Sequence, residues 1–119
     1  MRIYKTFTFG AAHSLPEHKG QCRNLHGHTY KVEVWCDGWI DRETGMVVDF
    51  GDLRAIKRTY DHKLLNEIIS NPTAEHLVGK ILRDVEHVCG ENVQKITVRV
   101  WESPTSWVEM VLKEGNYSD

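Results

Sequence analysis

Apolar and polar side chains alternate through much of the first 36 residues. Ile3, Phe7, Phe9 and Ala11 occupy odd positions, while Tyr4, Thr6 and Thr8 occupy even ones. This period of two predicts a strand from Ile3 to His13 with one buried face. The alternation returns from His26 to Cys36, with Tyr30, Val32, Val34 and Cys36 on one side and Lys31 and Glu33 on the other. A second strand follows, most economically antiparallel to the first. Between them, SLPEHKGQCRNL has no period and is too long for a tight hairpin, so residues 14–25 read as a loop with room for function.

Beyond residue 36 the pattern changes. Asp49 is the expected N-cap of a short helix in which Phe50, Leu53, Ile56 and Tyr60 share a face, and YDHKLLN follows as a connector. Leu77, Val78, Ile81, Leu82, Val85 and Val88 recur at helical spacing, with Asn71-Pro72 before them and Gly90 after. NVQKITVRVWE and SWVEMVLKE then alternate as strands around the turn SPT, and the tail GNYSD reads as frayed. The order β-β-α-α-β-β predicts an α+β domain: a four-stranded antiparallel sheet with both helices on one face. Its open edges favour association between subunits.

Composition narrows the function classes. A chain of 119 residues suits one domain, and 15 basic against 17 acidic side chains, dispersed along it, provide no basic field for nucleic acid or an anionic membrane. The N-terminus lacks the apolar core of a signal peptide, and no apolar run approaches a membrane span, so a cytosolic protein is expected. Cys22, Cys36 and Cys89 form no C-x-x-C pair and read as reduced thiols. Cys36 lies on the apolar parity of its strand and Cys89 at a helix end, both expected as small buried hydrophobes.

The chemistry concentrates where the strand faces meet. His26 and His28 continue the even parity of Tyr30 and Val32, and His13 continues that of Phe9 and Ala11. All three imidazoles therefore emerge on the covered face of neighbouring strands. An isolated H-x-H is often a half-buried pair bonded to backbone. A third histidine in phase makes it a three-ligand zinc site with the fourth position free for water or substrate. Cys22, four residues before His26 and beside Arg23 and Lys19, has two readings: a thiol for proton transfer, or a fourth ligand closing a structural zinc site.

Glu102 continues the apolar parity of Ile96, Val98 and Val100, so its carboxylate needs a partner or a ligand's donors. Asp61 and His62 could form an acid-imidazole pair if a turn lets their side chains meet. Thr73 and Glu75 fall in the first turn of the second helix, as capping and dipole residues that could also line a pocket. His18, His76 and His87 carry no partner pattern and are expected to be solvated.

FTFGAAHSLP, CRNLHGHTYKVEV, GMVVDFGDLR, YDHKLLN, NPTAEHL and VWES, in order over nearly the whole chain, resemble the 6-pyruvoyltetrahydropterin synthase family. Three residues between Cys22 and the H-G-H resemble its bacterial 6-carboxytetrahydropterin synthase branch, of queuosine biosynthesis. The resemblance implies a tunnelling fold (T-fold) whose sheets join into a barrel as trimers, stacked into a hexamer with active sites between subunits. By motif it implies zinc on His13, His26 and His28, Cys22 as catalytic thiol, Asp61 with His62 as the second proton-transfer group, and Glu102 as anchor for the pterin ring. Thr73 and Glu75 would border that ring. Lys19 and Arg23 are candidates for the substrate triphosphate from their charge alone. Tyr60 and His76 depart from the family's usual Leu and Asn. Two alternatives stay open: a 6-pyruvoyl synthase or related pterin side-chain lyase, and a non-catalytic zinc-stabilised assembly module.

Overall fold

The computed structural model describes residues 1–114; the frayed-tail expectation for GNYSD lies outside the described residues. Strand β1 (Arg2–His13) pairs antiparallel with β2 (His26–Gly38), with Phe9 opposite Tyr30 and His13 opposite His26. Phe7, Phe9, Ala11, Tyr30, Val32, Val34 and Cys36 are buried on one face, as the alternation predicts. Strand β4 (Val93–Ser103) pairs with β2, and β5 (Ser106–Lys113) with β4, both antiparallel. The register slips between Trp101 and Ser103, at the β4 end that carries Glu102.

Helix α1 (Phe50–Ala55) is capped by Asp49, whose side chain accepts from the Gly51 amide. Helix α2 (Ala74–Val88) is capped by the Thr73 hydroxyl, which accepts from the His76 amide at 3.1 Å. Helix α2 packs its buried Leu77, Val78, Ile81, Leu82 and Val85 against β4 and β5. Each such side chain contributes about 1.5–3 kcal/mol by leaving water. No helix among the described residues is long and apolar enough to cross a membrane.

Two expectations need correction. The sheet has five strands, in the order β3-β1-β2-β4-β5, because the connector carries a two-residue strand β3 (Lys63–Leu64) parallel to β1 at Ala11 and Ala12. Unpaired backbone groups on the outer edge of β1 cause this. Gly10 donates its amide to the Asp61 carboxylate at 3.0 Å and accepts from the His62 amide at 2.7 Å. The first helix is also shorter than expected, passing into a 3-10 turn at Ile56–Thr59, and Phe50 leaves the shared face with 49% exposure. Val47 and Val48, just before the cap, fill the core instead. Leu53, Ile56 and Tyr60 are buried as expected.

The sheet of a single chain is open, not closed into a barrel. Strand β5 is one edge, and β3 covers only Ala11 and Ala12 at the other.

Candidate metal centre and active site

Strand register brings the three histidines together. His13 and His26 are direct cross-strand partners, and His28 faces Ala11 one step diagonally away on the same side. Their ring centroids lie 4.5–5.0 Å apart. One nitrogen from each ring lies within 4.8 Å of the others, and among the described residues Cys22 stands outside this group.

Hydrogen bonds to backbone decide which nitrogens face the centre. His13 Nδ1 donates to the Pro72 carbonyl at 2.8 Å, with the Tyr30 hydroxyl 3.3 Å from the same nitrogen, and His26 Nδ1 donates to the Asn24 carbonyl at 2.7 Å. A carbonyl only accepts, so both protons sit on Nδ1 and both Nε2 atoms present lone pairs. These two Nε2 atoms are 2.9 Å apart. Two lone pairs that close repel unless a cation or proton lies between them. His28 is the third ring of the group, and its Nε2 is buried with no hydrogen-bond partner among the described residues. Burial lowers the His28 pKa, as do His13 and His26, while Glu102 opposes them, and the net shift favours the neutral imidazole a metal needs. The donor set thus fits a divalent metal with a soft preference for nitrogen.

The left-handed backbone of His62, at φ 59°, supplies the turn that adjacent side chains need, and brings Asp61 Oδ2 within 3.6 Å of His62 Nε2. The other Asp61 oxygen is held by Gly10, so the pair is fixed three residues before His13 on β1. The His62 side chain is 90% exposed, open to a ligand. Two concavities meet at His28. One, about 660 Å³, is lined by His28, Glu102, Lys31 and Trp101; the other, about 600 Å³, by His28, His62 and Lys63. Glu102 and His62 therefore each line a concavity that reaches His28. A third hollow of about 670 Å³, beside Cys89, Lys95 and Glu114, holds none of these groups.

Cys22 is half-buried in the 3-10 turn Gln21–Arg23, its carbonyl accepting from the Leu15 amide at 2.8 Å. Lys19 and Arg23 are exposed on the same loop, and with Thr73 and Glu75 they line neither concavity of the single chain. Thr73 caps α2, and Glu75 is exposed in its first turn, as expected. His18 and His87 are exposed as expected. Cys36 is fully buried and Cys89 half-buried, and their thiols interact. A hydrogen bond with Cys89 and then burial push the Cys36 thiol pKa far up.

Parity could not reveal the carbonyls of Pro72 and Asn24 or the Tyr30 hydroxyl. Only the N-P-T segment signalled that residues 71–73 matter, and it suggested a different role.

The family profile described as 6-pyruvoyl tetrahydropterin synthase matches residues 2–112. The chain belongs to that family. A Synechocystis protein named 6-carboxy-5,6,7,8-tetrahydropterin synthase is 41% identical over 97 residues, covering 71% of this chain and 74% of the relative. A Pyrococcus furiosus protein named dihydroneopterin monophosphate aldolase is 31% identical, covering 92% of this chain and 96% of the relative. Among solved structures, 6-pyruvoyl tetrahydropterin synthase of Caenorhabditis elegans matches with a TM-score of 0.72 at 24% identity, covering 95% of this chain and 94% of that one. This likeness gives the same T-fold architecture.

Proposed function

We propose that this family member is a zinc-dependent 6-carboxy-5,6,7,8-tetrahydropterin synthase. It would convert 7,8-dihydroneopterin triphosphate and water to 6-carboxytetrahydropterin, acetaldehyde and triphosphate, as a step of queuosine (7-deazapurine) biosynthesis in the cytoplasm. The observation that carries the reading is the convergence of the His13, His26 and His28 rings, with the Nε2 lone pairs of His13 and His26 free of backbone bonds and His28 lining concavities shared with Glu102 and with His62.

His13, His26 and His28 would hold the metal, which when bound supplies Lewis-acid polarisation of the substrate's side-chain hydroxyls. The Glu102 carboxylate accepts two parallel hydrogen bonds from the amino and N3-H groups of the pterin and sets the ring's orientation. His62, oriented by Asp61, carries a proton to or from the substrate side chain. Cys22, outside the ligand group, serves the opposite side of that chain as thiol or thiolate. Thr73 and Glu75 border the ring, and Lys19 and Arg23 meet the triphosphate, when neighbouring subunits complete the site. Unpaired edges on β1 and β5, with exposed Trp39, Ile40, Met46 and Phe50, favour closure into trimers and a hexamer. Sedimentation of the full chain checks this; a monomer at working concentration would refute it.

A second reading, a lyase acting on another dihydroneopterin side chain, is favoured by the Pyrococcus relative. Anaerobic incubation of zinc-loaded protein with dihydroneopterin triphosphate, followed by mass analysis, separates the readings. The 6-carboxy product is expected. Unchanged substrate refutes the proposal, and a pyruvoyl or aldolase product transfers it to the alternative lyase.

A further inference from the structure

We infer that His76, on the first turn of α2, is a positioning residue for the metal centre, holding through Asn71 the turn whose Pro72 carbonyl orients the His13 ring. The inference rests on reading the three histidines as a ligand set. The His13 ring is fully buried, and its tautomer follows from the Pro72 carbonyl 2.8 Å from Nδ1. In the other tautomer, an acceptor nitrogen would face an acceptor oxygen, and Nε2-H would point at His26 Nε2 and close the site to a cation. The placement of one carbonyl therefore decides whether His13 is competent as a ligand.

A short, strongly bonded turn holds that carbonyl. The Thr73 amide donates to the Asn71 carbonyl at 2.9 Å, closing a three-residue turn around Pro72, whose ring fixes φ. His76 bonds to both ends of this turn. Its amide donates to the Thr73 hydroxyl at 3.1 Å, and its imidazole Nδ1-H donates to the Asn71 carbonyl at 2.6 Å. His76 is exposed, so its ring contributes little burial, and these two bonds are what the side chain and cap provide locally.

The position also explains the residue type. His76 stands three residues after the cap, where a capping box would place Glu or Gln to accept from the cap residue's own amide. Here the Thr73 amide is already bonded to Asn71. What remains is the second lone pair of the Asn71 carbonyl, which calls for a donor, and Nδ1-H of histidine supplies one. Asn carries an amide nitrogen at the same distance along its side chain. Glu carries only acceptors when ionised.

Losing an outer hydrogen bond to a metal-binding histidine typically weakens metal affinity about 10- to 100-fold. Because His76 acts at one remove, the lower end, about tenfold, is expected. The test is zinc titration of the full chain against a competing chelator, for wild type, His76→Ala, His76→Asn and His76→Glu. Nitrogen chemical shifts of the His13 ring, recorded without metal, accompany it. The expected result is about tenfold weaker binding for His76→Ala and His76→Glu, near wild-type binding for His76→Asn, and a wild-type His13 protonated on Nδ1. Equal affinity in wild type and His76→Ala overturns the inference alone, as does an equal loss in His76→Asn. A wild-type chain that binds no zinc overturns the ligand-set reading as well. If His76→Ala fails to fold, the His13 tautomer and the contrast between His76→Asn and His76→Glu decide: an Nε2-H tautomer, or no contrast, refutes the role.

Discussion

Replacing Cys22 with alanine separates an open three-histidine centre from a closed four-ligand one. The thiol lies outside the group of converging nitrogens, so zinc binding should survive Cys22→Ala. A ligand at one hundred times its dissociation constant stabilises the native state by about 2.7 kcal/mol. For a chain of 119 residues, an unfolding entropy of about 2.1 cal/mol/K per residue sums to about 0.25 kcal/mol/K. Zinc should then raise the melting temperature by about 11 °C in both wild type and Cys22→Ala. In His13→Ala one ligand is gone. If affinity falls a hundredfold, the same zinc concentration equals the dissociation constant and stabilises by only about 0.4 kcal/mol, about 2 °C. Differential scanning calorimetry with and without zinc, each variant against its own metal-free form, reads all three. Loss of the shift in Cys22→Ala to the level of His13→Ala would refute the open centre and favour a structural site. Retention of the full shift in His13→Ala would refute the ligand assignment itself.

Three further outcomes test the frame around the site. Tyr60→Phe removes the buried hydroxyl that donates to Asp84, itself paired with Lys80 at 2.8 Å, while keeping the ring against Phe9 at 5.5 Å. Urea unfolding should show a loss of about 1–2 kcal/mol, and no loss would show that the bond is redundant. Burial opposes ionisation of Glu33, but hydrogen bonds from the Tyr4 hydroxyl at 2.7 Å and the Trp101 indole at 2.6 Å outweigh it and depress its pKa below the ordinary 4.5. A depressed carboxylate stabilises fully above its unfolded value and loses that contribution as pH falls through the folded one. Glu33→Gln should therefore cost about 1 kcal/mol at pH 7, allowing for solvent screening, with the gap closing below pH 4.5; a gap independent of pH would contradict this. At Gly38 an added Cβ would fall on the Asn92 carbonyl oxygen and within 2.9 Å of Val93 Cα. Gly38→Ala should lower stability by at least ~1–3 kcal/mol in the same urea assay, and a neutral result would mean the 92–93 turn yields freely.

Strand periodicity made much of the site legible in advance. Successive side chains on a strand alternate by geometry, so the parity of His13, His26 and His28 could be read from neighbouring apolar residues without knowing the fold. The same rule carried Glu102 to the covered face, where its charge reaches His28 and Tyr30. The Asp61–His62 contact was legible only as adjacency, because it depends on a left-handed backbone that a non-glycine residue adopts only when surrounding bonds hold it.

The sequence by itself determined which faces are apolar, where α2 begins and ends, and which three imidazoles share a side, because these follow from local period and capping. The tertiary structure decided what His13 offers. His13 receives its tautomer from Pro72, 59 positions away, and the Asp61–His62 pair is held by Gly10, 51 positions from Asp61. It also decided that the connector would become a fifth strand and that Phe50 would yield its core place to Val47 and Val48. Hydrogen-bond partners brought together by folding leave no period in the chain. A pattern can therefore place three imidazoles side by side, but only a carbonyl brought in by folding turns the His13 lone pair inward.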